Sequence, residues 1–289
     1  MEWKTDWGLR ARMGMTMLLL LVLYIVFIGI LAQFTTLLGI VIVMALFMGG
    51  QFFFSDRIAL YSMGAHEVSE QEYPELHATI GRLAQQADIP KPTVAVADTQ
   101  TPNAFATGRS QDSATVCVTT GIMNTLNRDE LEGVLAHELT HVKNRDVMVM
   151  TIASFLSSLA FIVVRWGWLF SGDRDEGGAP IIVAVLVSLV VAVVSFLLVR
   201  VLSRYREFAA DRGGAVITGR PSALASALVK IDSRMDRVPS EDMRKQADMN
   251  AFFIIPIKSG AISRLLSTHP STERRVERLR DMQRELETA

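Results

Sequence analysis

The chain has 289 residues, half of them hydrophobic, a formal net charge of −1 and one cysteine. Its positive mean hydropathy is too apolar for an ordinary soluble domain. The near-neutral charge argues against a nucleic-acid partner, and a lone cysteine excludes an intrachain disulfide framework.

Residues 13–55 contain no charge, enough for two membrane-spanning helices of about twenty residues each. Gln33, Thr35 and Thr36 mark the turn between them. A cleaved signal peptide competes for the first span, but no small-residue cleavage site follows it and a second apolar span does. Lys4, Arg10 and Arg12 precede the first span, and Arg57 and Arg82 follow the second. Basic residues stay cytoplasmic, so the N-terminus and residues 56–146 are expected on that side.

After the first apolar pair, residues 75–80 form a helix-like stretch carrying His77, read like His66 as a packing or surface residue rather than a ligand. Residues 93–96 and 115–118 alternate as strands do. Cys117 in the second of these reads as a buried structural thiol. Asn127 followed by Glu130 has the capping-box spacing, and Leu131, Val134, Leu135 and Val142 recur at helical intervals.

This helix carries His137-Glu138-Leu139-Thr140-His141. Residues four apart share a helix face, so the two imidazoles can grip one metal ion, with Glu138 beside it as a general base toward water. A catalytic zinc needs three protein ligands and an open position. One solution places a glycine and a third histidine soon after the motif, but Asn144 and Val147 occupy those places. The other uses a carboxylate on a later helix. Further uncharged runs at 147–164 and 177–199 read as a second membrane hairpin around a polar loop at 171–176, with a helical hairpin buried in the protein as the alternative. The acids in that loop fall on the far side, leaving Glu207 and Asp211. Their spacing puts both on one helical face. Glu207 is the expected third ligand, and Asp211 is expected to accept a hydrogen bond from the other nitrogen of a ligating imidazole.

Farther on, residues 232–250 are polar and read as a loop or linker, and residues 251–257 form an apolar run suited to a flap or to burial. Residues 272–287 form an amphipathic helix with Val276, Leu279, Met282 and Leu286 on one face. The divisions expected are 1–55 (membrane hairpin), 56–146 (first catalytic part), 147–202 (second membrane hairpin) and 203–289 (second catalytic part).

With these residues assembled, the chain resembles the HtpX branch of the M48 family of membrane metallopeptidases. Further matching segments are Pro102-Asn103-Ala104-Phe105-Ala106, Arg206-Glu207-Phe208-Ala209-Ala210-Asp211 and Thr268-His269-Pro270-Ser271 followed by an arginine. The resemblance implies an α+β, mainly helical integral membrane protein, with about four transmembrane helices and a gluzincin-type catalytic domain facing the cytoplasm. It implies one Zn²⁺ per chain, polypeptide substrates among misfolded or damaged membrane proteins, and a stress-response role at the cytoplasmic membrane. Asn103, Ala104, Phe105 and Ala106 would line the substrate cleft, His269 would stabilise an oxyanion, and Arg275 fits the family arginine better than Arg274. Residues 103–107, lying between two strands, can offer an edge to an extended peptide.

Other classes fit less well. A metal-binding scaffold has no use for a free base such as Glu138, and the apolar runs hold too little charge for an ion path.

Overall fold

The computed structural model describes residues 7–32, 37–166, 179–235, 254 and 269–288. The turn expected around residues 33–36 and the loop at 171–176 lie outside the described residues, as do 236–253 and 255–268 with most of the expected linker and apolar run. Two compact units share the chain, one comprising 1–5, 54–147 and 204–289, the other 6–53 and 148–203.

The first unit is built on a four-stranded sheet. Its strands are β1 (Ala65–Glu67), β2 (Thr93–Ala97), β3 (Ala104–Thr107) and β4 (Thr115–Thr119), in the order β1-β2-β4-β3. β2 and β4 run parallel, with Val94 opposite Val116 and Val96 opposite Val118, while β3 turns back antiparallel along β4. The central strands are buried on both faces, which explains their near-continuous apolar sequence. β3 is left at an edge. Burial pushes the Cys117 thiol up to about 12, as expected of a packed structural cysteine.

Helix α3 (Pro74–Ala87) starts on a proline and ends at Asp88 in the left-handed conformation. It buries Leu76, Ile80 and Leu83. His77 is also buried there, with its Nε2 3.0 Å from the Val68 carbonyl, and His66 is exposed on β1. The short α4 (Thr120–Thr125) is capped by Thr119, whose hydroxyl accepts from the Ile122 N–H. Helix α5 (Arg128–Lys143) starts in the expected capping box: the Asn127 side chain accepts from the Glu130 N–H, and Glu130 accepts from the Asn127 N–H. Glu130 also accepts from Ser226 and Lys230 of α8 (Pro221–Met235) at 2.7 Å each. Gly133 lets α8 close in, with Leu224 N 3.1 Å from where a Cβ would stand. Helix α9 (Thr272–Thr288) packs Val276 and Leu279 into the core, with Met282 against it.

The second unit is helical. It draws on α1 (Trp7–Leu31), α2 (Leu37–Ser62) up to residue 53, α6 (Asp146–Trp166) from residue 148 and α7 (Ala179–Thr218) up to residue 203. Phe27, Phe155, Leu159, Ala160 and Val191 form one internal cluster; Leu20, Ala153, Val199 and Leu202 form another. The Tyr24 hydroxyl donates to the Ile152 carbonyl at 2.9 Å, and its ring stacks on Phe155. Large apolar side chains such as Leu21, Ile25, Leu186, Val190 and Leu197 face outward, as on helices whose solvent is lipid. Among the described residues, 7–30 and 182–218 are long and apolar enough to cross a membrane. The other two expected spans correspond in chain order to α2 and to α6, whose apolar stretch 146–161 is shorter.

Candidate metal centre

The site is assembled from α5, the start of α6, α7 and α9, with β3 alongside. α5 carries His137 and His141 one turn apart, both directed at Glu207 of α7. The Nε2 atoms of the two histidines are 3.2 Å apart. Glu207 places Oε1 3.5 Å from His141 Nε2 and Oε2 3.7 Å from His137 Nε2. Two ligands of a tetrahedral Zn²⁺, each about 2.1 Å from the ion, are separated by about 3.4 Å. The three observed distances bracket that value, and one donor atom from each residue lies within 4.8 Å of the others. Two imidazoles and a carboxylate suit zinc chemically, so the residues fit the implied metal.

Such close approach of α5 and α7 depends on two glycines. A Cβ on Gly214 would stand 2.9 Å from the His137 backbone nitrogen, and one on Gly213 would run into the Thr140 side chain. Gly214 lies seven residues after Glu207, nearly two helical turns, and therefore on the same face.

Each imidazole is held from behind. His137 Nδ1 is 3.0 Å from Asp211 Oδ1, the contact expected for Asp211. Arg275 of α9 donates to Asp211 through Nε at 2.9 Å and Nη2 at 2.7 Å, and its Nη1 lies 3.3 Å from Glu207 Oε2. His141 Nδ1 lies 2.6 Å from Asp146 Oδ2, and Asp146 Oδ1 is 3.0 Å from Arg206 Nε. Asp146 was not singled out from the sequence, since its five-residue spacing from His141 is not a helical-face spacing. The chain bends between them at Arg145, which adopts φ 56.

His269 Nδ1 sits 3.1 Å from Glu207 Oε2. Glu138 is buried, and its Oε2 accepts a hydrogen bond from the Ala106 N–H of β3 at 3.0 Å. The edge strand is thereby tied to the expected base. Ala104 and Phe105 are buried and Ala106 half-buried. Asn103 is fully buried: its N–H donates to Thr119 Oγ1 at 2.9 Å, and its Oδ1 accepts from the Ile254 N–H at 3.0 Å. The Ile254 carbonyl in turn accepts from Arg275 Nη1 at 2.8 Å. Of the apolar run, Ile254 is the described residue, and it is buried.

The electrostatics favour a cation. Four buried acids, Glu138, Asp146, Glu207 and Asp211, face two guanidinium groups, Arg206 on Asp146 and Arg275 shared between Asp211 and Glu207, so two negative charges are left over. Burying two carboxylates without a counter-charge is costly, and a divalent cation balances them. Burial raises the Glu138 pKa above the usual carboxylate range, against the lowering effect of both histidines. Burial alone would lower His141, but hydrogen bonds to Asp146 and Glu207 outweigh it and carry the imidazole up to about 10. The field that favours positive charge on His141 also attracts a metal ion. For Arg275, burial is outweighed by Asp211 and Glu207, which raise its pKa.

A donor set of this kind, beside a buried glutamate and a sheet edge, is that of an HExxH metallopeptidase. The family model described as Peptidase family M48 matches residues 70–283, and the chain belongs to that family, as an HtpX-type member. It is 55% identical to Protease HtpX homolog 2 of Methanosarcina mazei, covering 99% of each chain. It is 54% identical to the Protease HtpX homolog of Moorella thermoacetica, covering 98% of this chain and 97% of the relative. Among solved structures, Ste24p of S. mikatae is similar with a TM-score of 0.54 and 20% identity, over 89% of this chain and 62% of that one. This last likeness concerns the fold alone.

Proposed function

We propose that the protein is a zinc-dependent endopeptidase of the cytoplasmic membrane, with about four membrane-spanning helices and a gluzincin-type catalytic unit on the cytoplasmic side. Its substrates are polypeptides, foremost misfolded or damaged membrane proteins. The observation that carries this reading is the convergence of His137, His141 and Glu207 beside the buried Glu138. Peptidase family membership supports the activity, the two long apolar helices support the membrane setting, and Arg10, Arg12, Arg57 and Arg82 flanking the first apolar pair support the orientation.

His137, His141 and Glu207 would hold the metal. Zn²⁺ bound there would supply a Lewis acid that acidifies water and polarises a carbonyl. Glu138 accepts the proton of the attacking water and returns it to the leaving amine. The Ala106 N–H orients that carboxylate. Antiparallel pairing makes β3 residues alternate between facing β4 and facing the open edge. The Asn103–Thr119 hydrogen bond sets Ala104 and Ala106 on the open side. With the Ala106 N–H given to Glu138, an extended peptide can add there through the Ala104 N–H and the Ala104 and Ala106 carbonyls, which gives affinity with little side-chain selectivity.

His269, beside Glu207, is the residue to stabilise the oxyanion. Arg275 has two carboxylates and the Ile254 carbonyl as partners, so it serves by fixing Asp211 and Glu207 and by adding positive potential. Asn103 serves by joining the β3 end to Ile254, and Ala104 to Ala106 supply the peptide edge.

The test is cleavage of casein by the detergent-purified protein with Zn²⁺, with a chelator, and by Glu138→Gln. Loss of cleavage in the last two, with zinc still bound by the variant, is expected. Undiminished cleavage by Glu138→Gln would refute the assignment.

A further inference from the structure

We propose that Asp146 is a positioning residue of the metal centre, fixing His141 as Asp211 fixes His137, with Arg206 as the counter-charge that holds Asp146 in place. The inference rests on the metallopeptidase reading above.

The two histidines are backed in the same way. Behind His137 stands Asp211, and behind Asp211 stands Arg275. Behind His141 stands Asp146, and behind Asp146 stands Arg206. In each row an imidazole Nδ1 meets one carboxylate oxygen, with a guanidinium engaging the carboxylate. All six side chains are nearly or wholly inaccessible: His141 keeps 13% of its side chain exposed, Arg206 10%, and the other four 5% or less. Donation of Nδ1–H to a carboxylate fixes the tautomer, leaving the Nε2 lone pair for a metal, and fixes the ring plane. The His141 Nδ1 to Asp146 contact, at 2.6 Å, is shorter than the 3.0 Å one at His137, as a well-aligned charge-assisted bond would be.

The backbone is arranged to make this contact. Arg145 takes the left-handed conformation between α5 and α6, which costs a non-glycine residue about 1 kcal/mol, and Asp146 opens α6 directly after it. An acid at a helix start satisfies the helix dipole wherever its side chain points into solvent. Here it is 2% exposed and its carboxylate spans from His141 to Arg206. Arg206 immediately precedes Glu207, so successive residues of α7 serve Asp146 and the metal centre.

The experiment uses full-length protein in detergent and three readouts other than cleavage: Zn²⁺ affinity by competition with a chromophoric chelator, the visible spectrum of the Co²⁺-substituted protein, and the melting temperature of the metal-free protein. Asp146→Ala is expected to weaken Zn²⁺ binding roughly 10- to 100-fold and to alter the Co²⁺ spectrum. Asp146→Asn retains an acceptor for Nδ1–H but loses the charge, and is expected to lose roughly three- to tenfold and to alter the Co²⁺ spectrum. Arg206→Gln leaves the imidazole its carboxylate and is expected to lose less than Asp146→Ala. A merely structural tie between α6 and α7 would be broken equally by Arg206→Gln and Asp146→Ala, so equal losses of affinity would overturn the proposal. So would Zn²⁺ affinity within about twofold of the parent in a folded Asp146→Ala. If Asp146→Ala does not fold, Asp146→Asn decides, with unchanged affinity and spectrum overturning the proposal. His141→Ala is the control. If it too keeps its zinc, the metal-centre reading fails; if it loses zinc while the Asp146 variants keep it, only the positioning role fails.

Discussion

Replacing Gly214 with alanine places a methyl group between α7 and the backbone of the histidine-bearing helix. The new Cβ would lie 2.9 Å from His137 N, 3.1 Å from its Cα and 3.3 Å from the Ala136 carbonyl carbon. All three are main-chain atoms and cannot rotate away. Ordinary contact starts at 3.4 Å, so the shortfall from 3.4 to 2.9 Å requires the helices to part by about 0.5 Å. Metal sites tolerate about 0.2 Å in ligand distances, and Asp211 and Glu207 lie on the same side of α7 within two turns. Separation at Gly214 therefore draws both away from His137. Overpacking costs about 1–3 kcal/mol, of which alanine's better helix propensity returns up to about 1 kcal/mol. The expected outcome is a net loss of up to about 2 kcal/mol, a Zn²⁺ affinity at least about tenfold weaker and a comparable fall in cleavage rate. Chelator competition, thermal melts with and without Zn²⁺ and a casein assay measure these. Gly213→Ala provides the contrast, because its obstacle is the Thr140 side chain. Thr140→Ala should restore part of the affinity lost in Gly213→Ala and none of that lost in Gly214→Ala. Wild-type affinity and melting temperature in Gly214→Ala would refute the claim that glycine is needed for this approach.

Cys117 should resist thiol reagents at pH 8 in the folded protein and react after denaturation, because burial holds its pKa near 12. The folded thiol keeps its proton between pH 9 and 12 while the unfolded one loses it. The associated stability is thus complete below about pH 9 and declines as pH rises toward 12. Cys117→Ala should show a flatter alkaline limb in a pH series of chemical melts, and an equally steep one would contradict this assignment. Arg145→Gly should raise stability by up to about 1 kcal/mol, since glycine takes the left-handed conformation without strain; a lower melting temperature would show that the arginine side chain matters more than its backbone. Glu207→Gln should abolish high-affinity Zn²⁺ binding while leaving the α5 capping box and sheet intact by circular dichroism, and retention of tight zinc would remove Glu207 from the ligand set.

What was legible in the sequence is what depends on short spacings. The Asn127–Glu130 cap, the histidines four apart and the Glu207–Asp211 pair each lie within one or two helical turns, so helix periodicity places them before any tertiary contact is known. The two central strands were legible from their alternation, although alternation implies one solvated face and these strands are buried on both. β1 was not, because three residues of an edge strand carry too short a pattern. The resemblance implies a cleft role for Asn103, and its carboxamide also engages the main chain of Ile254, 151 positions away, a partner that local periodicity does not register.

Asp146 shows the same limit more sharply. On an uninterrupted helix, a residue five positions after His141 points about 140° away from it. The left-handed residue at Arg145 ends α5 and redirects the chain, so that the first residue of α6 turns back to the imidazole. The sequence contains the acid and the spacing, but not the φ sign that brings them together; for a non-glycine residue that sign is the minority choice. Tertiary contacts favour it here. Asp146 is anchored by Arg206, and Arg206 is carried on the helix whose next residue faces the metal centre. The left-handed turn is therefore maintained by the same packing of α5 against α7 that Gly213 and Gly214 permit, and loosening that approach should release Asp146 from His141 along with Glu207.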